Sequence, residues 1–208
     1  TGVGTADSTM VFSGTLTDIN SALAGLAYTP TANYHGAAVL SLATSDLGHT
    51  GAGGTLTDTD TVNITVNPVN DAPTVATPLA DQNATEDAVF TFTFDANAFA
   101  DVDVGDALTY SALLTGGGLL PAWLSFDAAT RTFSGTPLNG DVGTLNIDVT
   151  ADDGKGGSVS DTFSIVAANT NDAPTVAKPS TNESATEDAA SSIQFAANAF
   201  ADVDVGNT

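Results

Sequence analysis

The chain contains no cysteine, and only three basic residues stand against 25 acids in its 208 residues. Without cysteine, neither disulfides nor thiolate metal sites can hold the fold. Arg131, Lys155 and Lys178 are the whole basic complement, and the net charge is −22. Nucleic acid and anionic membrane surfaces are therefore excluded as partners, because both require lysine and arginine. No run of about 18 apolar residues is present, and the N-terminus carries no basic-plus-apolar signal segment. Glutamate is scarce too. With Glu86, Glu183 and Glu187 as its only members, the remaining 22 acids are aspartate. A salt-adapted surface has no strong reason to avoid glutamate. Short aspartates suit turns and tight oxygen cages around a hard cation.

What the chain does have is an internal repeat. Residues 70–107 return at 171–208, shifted by 101 residues, with 24 of 38 positions identical. Both copies open on Asn-Asp-Ala-Pro-Thr-Val-Ala, pass through Ala-Thr-Glu-Asp-Ala, and close on Ala-Asn-Ala-Phe-Ala-Asp-Val-Asp-Val-Gly. A period of this length means tandem domains of about 100 residues, enough to close one core each. Asp71, Glu86, Asp87, Asp101 and Asp103 recur as Asp172, Glu187, Asp188, Asp202 and Asp204. Upstream, Asp60-Thr61 and Ile64 precede Asp161-Thr162 and Ile165 by the same 101 residues. Thr44-Ser45-Asp46-Leu47-Gly48 resembles Thr150-Ala151-Asp152-Asp153-Gly154 at an offset of 106, so the upstream loop is expected to be five residues longer. The expected organisation is the back part of one unit (1–69), a whole unit (70–170) and the front of a third (171–208), an excerpt from a longer array.

Strand periodicity dominates. Phe90, Phe92 and Phe94 alternate with Thr91 and Thr93, which predicts a half-buried strand. Leu108 to Leu114 alternates likewise, as do Leu145, Ile147 and Val149, and then Val159, Phe163 and Ile165. Residues 123–126 and 131–133 flank a predicted hairpin turn at 127–130. Short strands punctuated by Gly, Asp and Pro predict an all-β, antiparallel sandwich. In the first third, residues 39–43 and 61–66 read as strands. Thr17 is expected to cap a short helix through Gly25, with Ile19, Leu23 and Leu26 on one face.

Three loops carry the chemistry. The first is Asp101-Val102-Asp103-Val104-Gly105-Asp106, the second Asp152-Asp153-Gly154-Lys155-Gly156-Gly157, and the third the junction Asn70-Asp71-Ala72-Pro73. Ca²⁺ takes six to eight oxygens at about 2.3–2.6 Å, mostly carboxylates and carbonyls. Aspartates at i and i+2 point the same way from extended backbone, and glycine lets the chain curl around an ion. The first loop is not an EF-hand, since position twelve is Ala112 rather than Glu. In a sandwich of this connectivity the three loops are expected at one end, gathering carboxylates that repel without a cation and ligate with one.

These residues also carry a family resemblance. Asp-Val-Asp-Val-Gly-Asp-Ala-Leu-Thr-Tyr (101–110), Leu-Pro-Ala-Trp-Leu-Ser-Phe-Asp (120–127), Thr-Phe-Ser-Gly-Thr-Pro (132–137) and Ala-Asp-Asp-Gly-Lys-Gly-Gly (151–157) make residues 70–170 resemble a bacterial cadherin-like domain of the dystroglycan type. Phe-Ser-Gly-Thr-Leu-Thr-Asp-Ile-Asn (12–20) and Leu-Ala-Tyr-Thr-Pro-Thr-Ala-Asn-Tyr (26–34) resemble another cadherin-like repeat of large bacterial surface proteins. The resemblance implies an Ig-like, cadherin-like sandwich in tandem array, calcium at the junctions, and adhesion at cell surfaces or in biofilms, extracellularly. By the same resemblance Asn70, Asp71, Asp101, Asp103 and Asp152 or Asp153 serve one junction. Glu86 joins Asn171, Asp172, Asp202 and Asp204 at the next. Homophilic contacts or a surface glycan or protein are the partners it implies. The upstream turn Ala32-Asn33-Tyr34-His35-Gly36 departs from the pattern by offering no acid.

No enzyme is expected. His35 and His49 sit in glycine-flanked loop contexts, and neither a Gly-x-Ser-x-Gly elbow nor a His-Glu-x-x-His motif is present. The alternative function is a carbohydrate-binding module of a secreted glycan-degrading protein. That role wants an exposed aromatic platform, whereas Trp123, after Leu119-Leu120-Pro121, reads as core.

Overall fold

The computed structural model describes residues 8–48 and 51–204, and His49 and the last residues of the second repeat copy, 205–208, lie outside them. The chain divides into two compact units, Thr1–Val69 and Asn70–Thr208.

The first unit contains helix α1 (Leu16–Leu23) and a hairpin of β1 (Gly36–Ser45) with β2 (Thr57–Val66). The helix starts two residues earlier than the Thr17 cap predicts. Thr15 is the cap, because its extended backbone lets the hydroxyl oxygen accept from the Asp18 amide at 3.3 Å. The helix ends before Gly25, so Leu26 lies beyond it and is exposed. His35 is exposed.

In the second unit the strands are β3 (Thr74–Val75), β4 (Gln82–Thr85), β5 (Phe90–Thr93), β6 (Phe99–Ala100), β7 (Thr109–Leu114), β8 (Leu124–Asp127), β9 (Thr132–Gly135), β10 (Gly143–Asp152) and β11 (Ser158–Ala168). They are followed by β12 (Thr175–Val176) and β13 (Phe200–Ala201). One sheet runs β4-β11-β10-β7 and faces a second, β5-β9-β8, while β3 pairs with β6 and β12 with β13. The predicted antiparallel sandwich is present with one departure: β4 runs parallel to β11, Gln82 opposite Ile165. A parallel pair needs a long connection, and these two strands lie far enough apart in the chain to provide it.

The core forms where alternating faces meet. Phe133, Ile147, Val149 and Ile165 are fully buried, and Phe90, Phe94 and Phe163 nearly so. Phe126 stacks on Phe133 at 4.5 Å between ring centroids, and Phe133 meets Phe163 edge-on at 5.3 Å. Packed aromatic pairs of this kind contribute beyond their buried area. Trp123 is half-buried, edge-on to Phe90 at 6.3 Å, and belongs to the core margin. In the predicted hairpin, Asp127 Oδ1 accepts the Ala129 amide at 2.9 Å, and Arg131 takes φ 58° to complete the turn.

The two long hairpins correspond strand for strand. Gly36 faces Val66 as Gly143 faces Ala167, which sets β1 and β10 at an offset of 107 and β2 and β11 at 101. Asp46 therefore corresponds to Asp153, not Asp152, and the upstream loop is six residues longer rather than five. The turns explain this. Asp46 Oδ1 accepts the amides of Gly48 and Leu56 at 2.8 and 2.9 Å, while Asp153 Oδ1 accepts those of Lys155 and Gly157 at 2.7 and 2.9 Å. The carboxylate that closes the turn sets the equivalence, and Thr44/Thr150 does not.

Candidate metal centre

At one end of the sandwich the β6–β7 loop, the β10–β11 turn and the segment leading into β3 converge. Asp101 Oδ1 accepts the Asp103 amide at 2.8 Å, a local turn that aims both carboxylates to one side. Asp103 Oδ2 accepts the Asp71 amide at 2.8 Å and so ties the incoming segment to the loop. Asn70 Nδ2 donates to Asp153 Oδ2 at 2.8 Å and ties the same segment to the β10–β11 turn.

Carboxylate oxygens of Asp101, Asp103 and Asp106 all lie within 4.8 Å of one another. Within this triad Asp101 Oδ2 and Asp106 Oδ2 are buried with no hydrogen-bond partner. Like charges about 4 Å apart repel by roughly 4 kcal/mol at an effective dielectric of about 20, so the triad favours a cation. Orphaned buried carboxylate oxygens of this kind fit a hard, oxygen-seeking divalent ion such as Ca²⁺. Asp106 Oδ1 is engaged by the Lys155 ammonium, whose own protonation that bond strengthens.

Asp152 and Asp153 are placed differently. Asp153 is buried beside Asn70, while Asp152 is exposed and caps its own turn through the Gly154 amide at 2.7 Å. Both Asp153 oxygens are occupied by donors. The Asn70 amide first, then the Lys155 backbone amide, hold its carboxyl below the ordinary value of 3.8. Asp153 thus ties the incoming segment to the β10–β11 turn, while Asp106 completes the triad with Asp101 and Asp103. Asp71 takes part through its backbone amide and is not among the three clustered carboxylates.

A second cluster lies around the β4–β5 turn and the segment after β11. Oxygens of Glu86, Asp87 and Asp172 lie within 4.8 Å of one another. Glu86 is only 2% exposed; its Oε2 accepts the Thr170 amide at 3.3 Å, and its Oε1 is buried without a partner. The bonds joining Asp71, Asp103 and Asp101 in the first cluster return here: Asp204 Oδ2 accepts the Asp172 amide at 2.9 Å, and Asp202 Oδ1 accepts the Asp204 amide at 3.0 Å. Asn169 Nδ2 reaches Asp204 Oδ1 at 3.4 Å. Asn171 is exposed and bonds the Asp172 carbonyl at 3.2 Å, as Asn70 does that of Asp71.

Glu86 and Asp172 are therefore brought together, and Asp204 holds the Asp172 amide with Asp202 behind it. Asp87 and Asn169 were missed from sequence. In an extended strand Asp87 would face away from Glu86, but φ 58° turns it to the same side. Its recurrence at Asp188 was the available signal. Asp106 was visible in the loop motif yet lacks a repeat partner, because Asn207 occupies that position.

Residues 72–168 match the family model He_PIG, described as "Putative Ig domain". Among solved structures, the protocadherin gammaB7 EC3-6 cis-dimer is similar at TM-score 0.50 and 19% identity, over 71% of this chain and 37% of that one. Protocadherin gamma B7 extracellular cadherin domains 1-4 align at TM-score 0.49 and 24% identity, over 72% and 37%. An endo-fucoidan hydrolase of glycoside hydrolase family 107 aligns at TM-score 0.40 and 24% identity, over 68% and 20%. The chain thus spans well under half the length of each of these structures. A comparison with curated proteins finds no match. The fold is an Ig-like, cadherin-like β-sandwich. Among the described residues no helix is long and apolar enough to cross a membrane.

Proposed function

We propose that this chain is a calcium-binding, calcium-rigidified module of a large extracellular bacterial adhesin, a non-catalytic spacer or adhesion element built of repeats at 1–69, 70–170 and 171–208. The observation that carries this reading is the buried, unpartnered oxygen at each cluster, Asp101 Oδ2 and Asp106 Oδ2 at one and Glu86 Oε1 at the other. An unpaired buried carboxylate oxygen is costly, and a divalent ion removes that cost. Asp101, Asp103 and Asp106 would hold an ion at the first centre, with Asn70, Asp71 and Asp153 positioning the loops. Glu86, Asp87 and Asp172 would hold one at the second, with Asp204 close by. The bound ion supplies charge neutralisation and ties separate loops into one body. The carbohydrate-binding alternative finds no support at Trp123, whose ring packs at the core margin.

Differential scanning calorimetry of the 208-residue chain in EDTA and in millimolar Ca²⁺ tests the proposal. Ligand that binds only the folded state stabilises by about 2.7 kcal/mol at a hundredfold excess over Kd. A melting temperature indifferent to Ca²⁺ would remove the calcium function.

A further inference from the structure

The β10–β11 turn carries a cation, the Lys155 ammonium, into the first acidic cluster. Lys155 sits between Gly154 (φ 71°) and Gly156 (φ 106°), both in the left-handed region that glycine tolerates. Its backbone amide is held by Asp153 Oδ1 at 2.7 Å, so the start of its side chain is anchored. Its ammonium crosses to Asp106 Oδ1 on the opposite loop. The Asp106 side chain is only 3% exposed and its other oxygen is buried without a partner, whereas the Lys155 side chain is 56% exposed. A buried acceptor with one orphan oxygen is thus capped by a cation free to leave into water. Asp106 is also one of the three carboxylates whose oxygens lie within 4.8 Å of one another.

We propose that Lys155 is a tethered competitor for the metal centre, an internal cation on Asp106 that a divalent ion must displace to complete its cage with Asp101 and Asp103. This inference rests on the calcium reading of that cluster and specifies how the site is regulated. In the ion-free chain the ammonium relieves repulsion within the triad and keeps the two loops in contact. On ion uptake it is released into solvent, and the energy of its ion pair is subtracted from the affinity. The second cluster has no such device among the described residues: the partners of Glu86 there are neutral backbone and hydroxyl groups of Thr170 and Ala168. The two clusters should therefore differ in affinity, and only the first should respond to change at Lys155.

Calorimetric Ca²⁺ titration of the full chain, as wild type, Lys155→Gln, Lys155→Arg, Asp106→Asn and Lys155→Gln with Asp106→Asn, tests this. Lys155→Gln should tighten one class of site by about tenfold, a coupling of ordinary size, and leave the other unchanged. Lys155→Arg, which keeps the charge, should stay near wild type. In the Asp106→Asn background the Lys155→Gln effect should vanish. Amine acetylation read by mass spectrometry gives a second measure, since Ca²⁺ should speed labelling of Lys155 relative to Lys178. Equal Ca²⁺ affinity in wild type and Lys155→Gln would overturn the competitor role and leave the calcium reading standing. Absence of Ca²⁺ binding in every variant, Lys155→Gln included, would overturn both.

Discussion

The Asp71 amide donates to the Asp103 carboxylate at 2.8 Å, and 101 residues later the Asp172 amide donates to Asp204 at 2.9 Å. One short bond thus fastens the segment entering each repeat to the loop that follows its first strands. Asp103→Ala should leave the half-buried Asp71 amide unsatisfied and cost about 1–3 kcal/mol even in EDTA. Asp103→Asn keeps an oxygen for that amide but removes the charge. Its melting temperature in EDTA should stay near wild type, while its gain in Ca²⁺ shrinks. A full Ca²⁺ response from Asp103→Asn would show that this carboxylate is a fastener and not a ligand.

Two glycines are required by space rather than by backbone angle. A Cβ on Gly157 would land on Asp153 Oδ2 and lie 2.8 Å from the Ala72 Cα, and one on Gly135 would land on the Trp123 carbonyl oxygen. Neither obstacle is the end of a flexible side chain free to swing away, since Asp153 is pinned by Asn70. Gly157→Ala and Gly135→Ala should each cost about 2–4 kcal/mol, in the range of severe overpacking. Gly140→Ala, with nothing within 4 Å of the added carbon, serves as the control. Urea melts of the three variants give the comparison, and equal midpoints for all would contradict the packing described here.

Several aspartates titrate below 3.8 in the folded chain, each through donors it acquires on folding. Asp153 owes this first to the Asn70 amide, Asp81 to the Ser164 amide, Asp127 to the Thr130 amide and Asp148 to the Thr162 hydroxyl. A depressed folded value means the unfolded chain binds protons first. Their stabilisation is therefore complete above the unfolded value and is lost as pH falls through the folded values. Stability should hold from pH 7 to about 5 and decline below about 4. Asp153→Asn should flatten part of that decline. A melting temperature constant from pH 5 to pH 2 would refute the linkage.

Much of this was legible in the chain because the repeat aligned acids with acids and the Phe-Thr alternation of residues 90–93 announced a buried face. The three loops met as their positions between strands required. What stayed hidden depended on local geometry that no periodicity encodes. The helix cap shifted to Thr15 because capping follows backbone conformation, and Ser, Thr and Asp crowd the same short stretch. Asp153 over Asp152, by contrast, does follow from periodicity: the alternation that buries Ile147, Val149 and Ala151 continues one step past the strand to bury Asp153 and expose Asp152. Lys155 reaching Asp106 depends on two left-handed glycines, invisible as contacts in the sequence.

The same repeat separates sequence from context in the exchange behaviour expected of its two copies. Residues 82–85 and 90–93 form β4 and β5 because β11 and β9 lie beside them, as the pairs Gln82–Ile165 and Phe92–Phe133 record. Their counterparts at 183–186 and 191–194 form no strand, and Ile193 and Phe195 are 62% and 61% exposed. Only β12 and β13, which supply each other's partner across Val176 and Phe200, are retained from the pattern. Two short strands alone are marginal in water. Amide hydrogen exchange should therefore show β10 and β11 opening only with global unfolding, while residues 183–194 exchange at nearly the unprotected rate. Protection of 183–194 equal to that of 82–93, at a concentration low enough to exclude association, would mean that strand formation here is written locally and does not depend on the neighbouring strands.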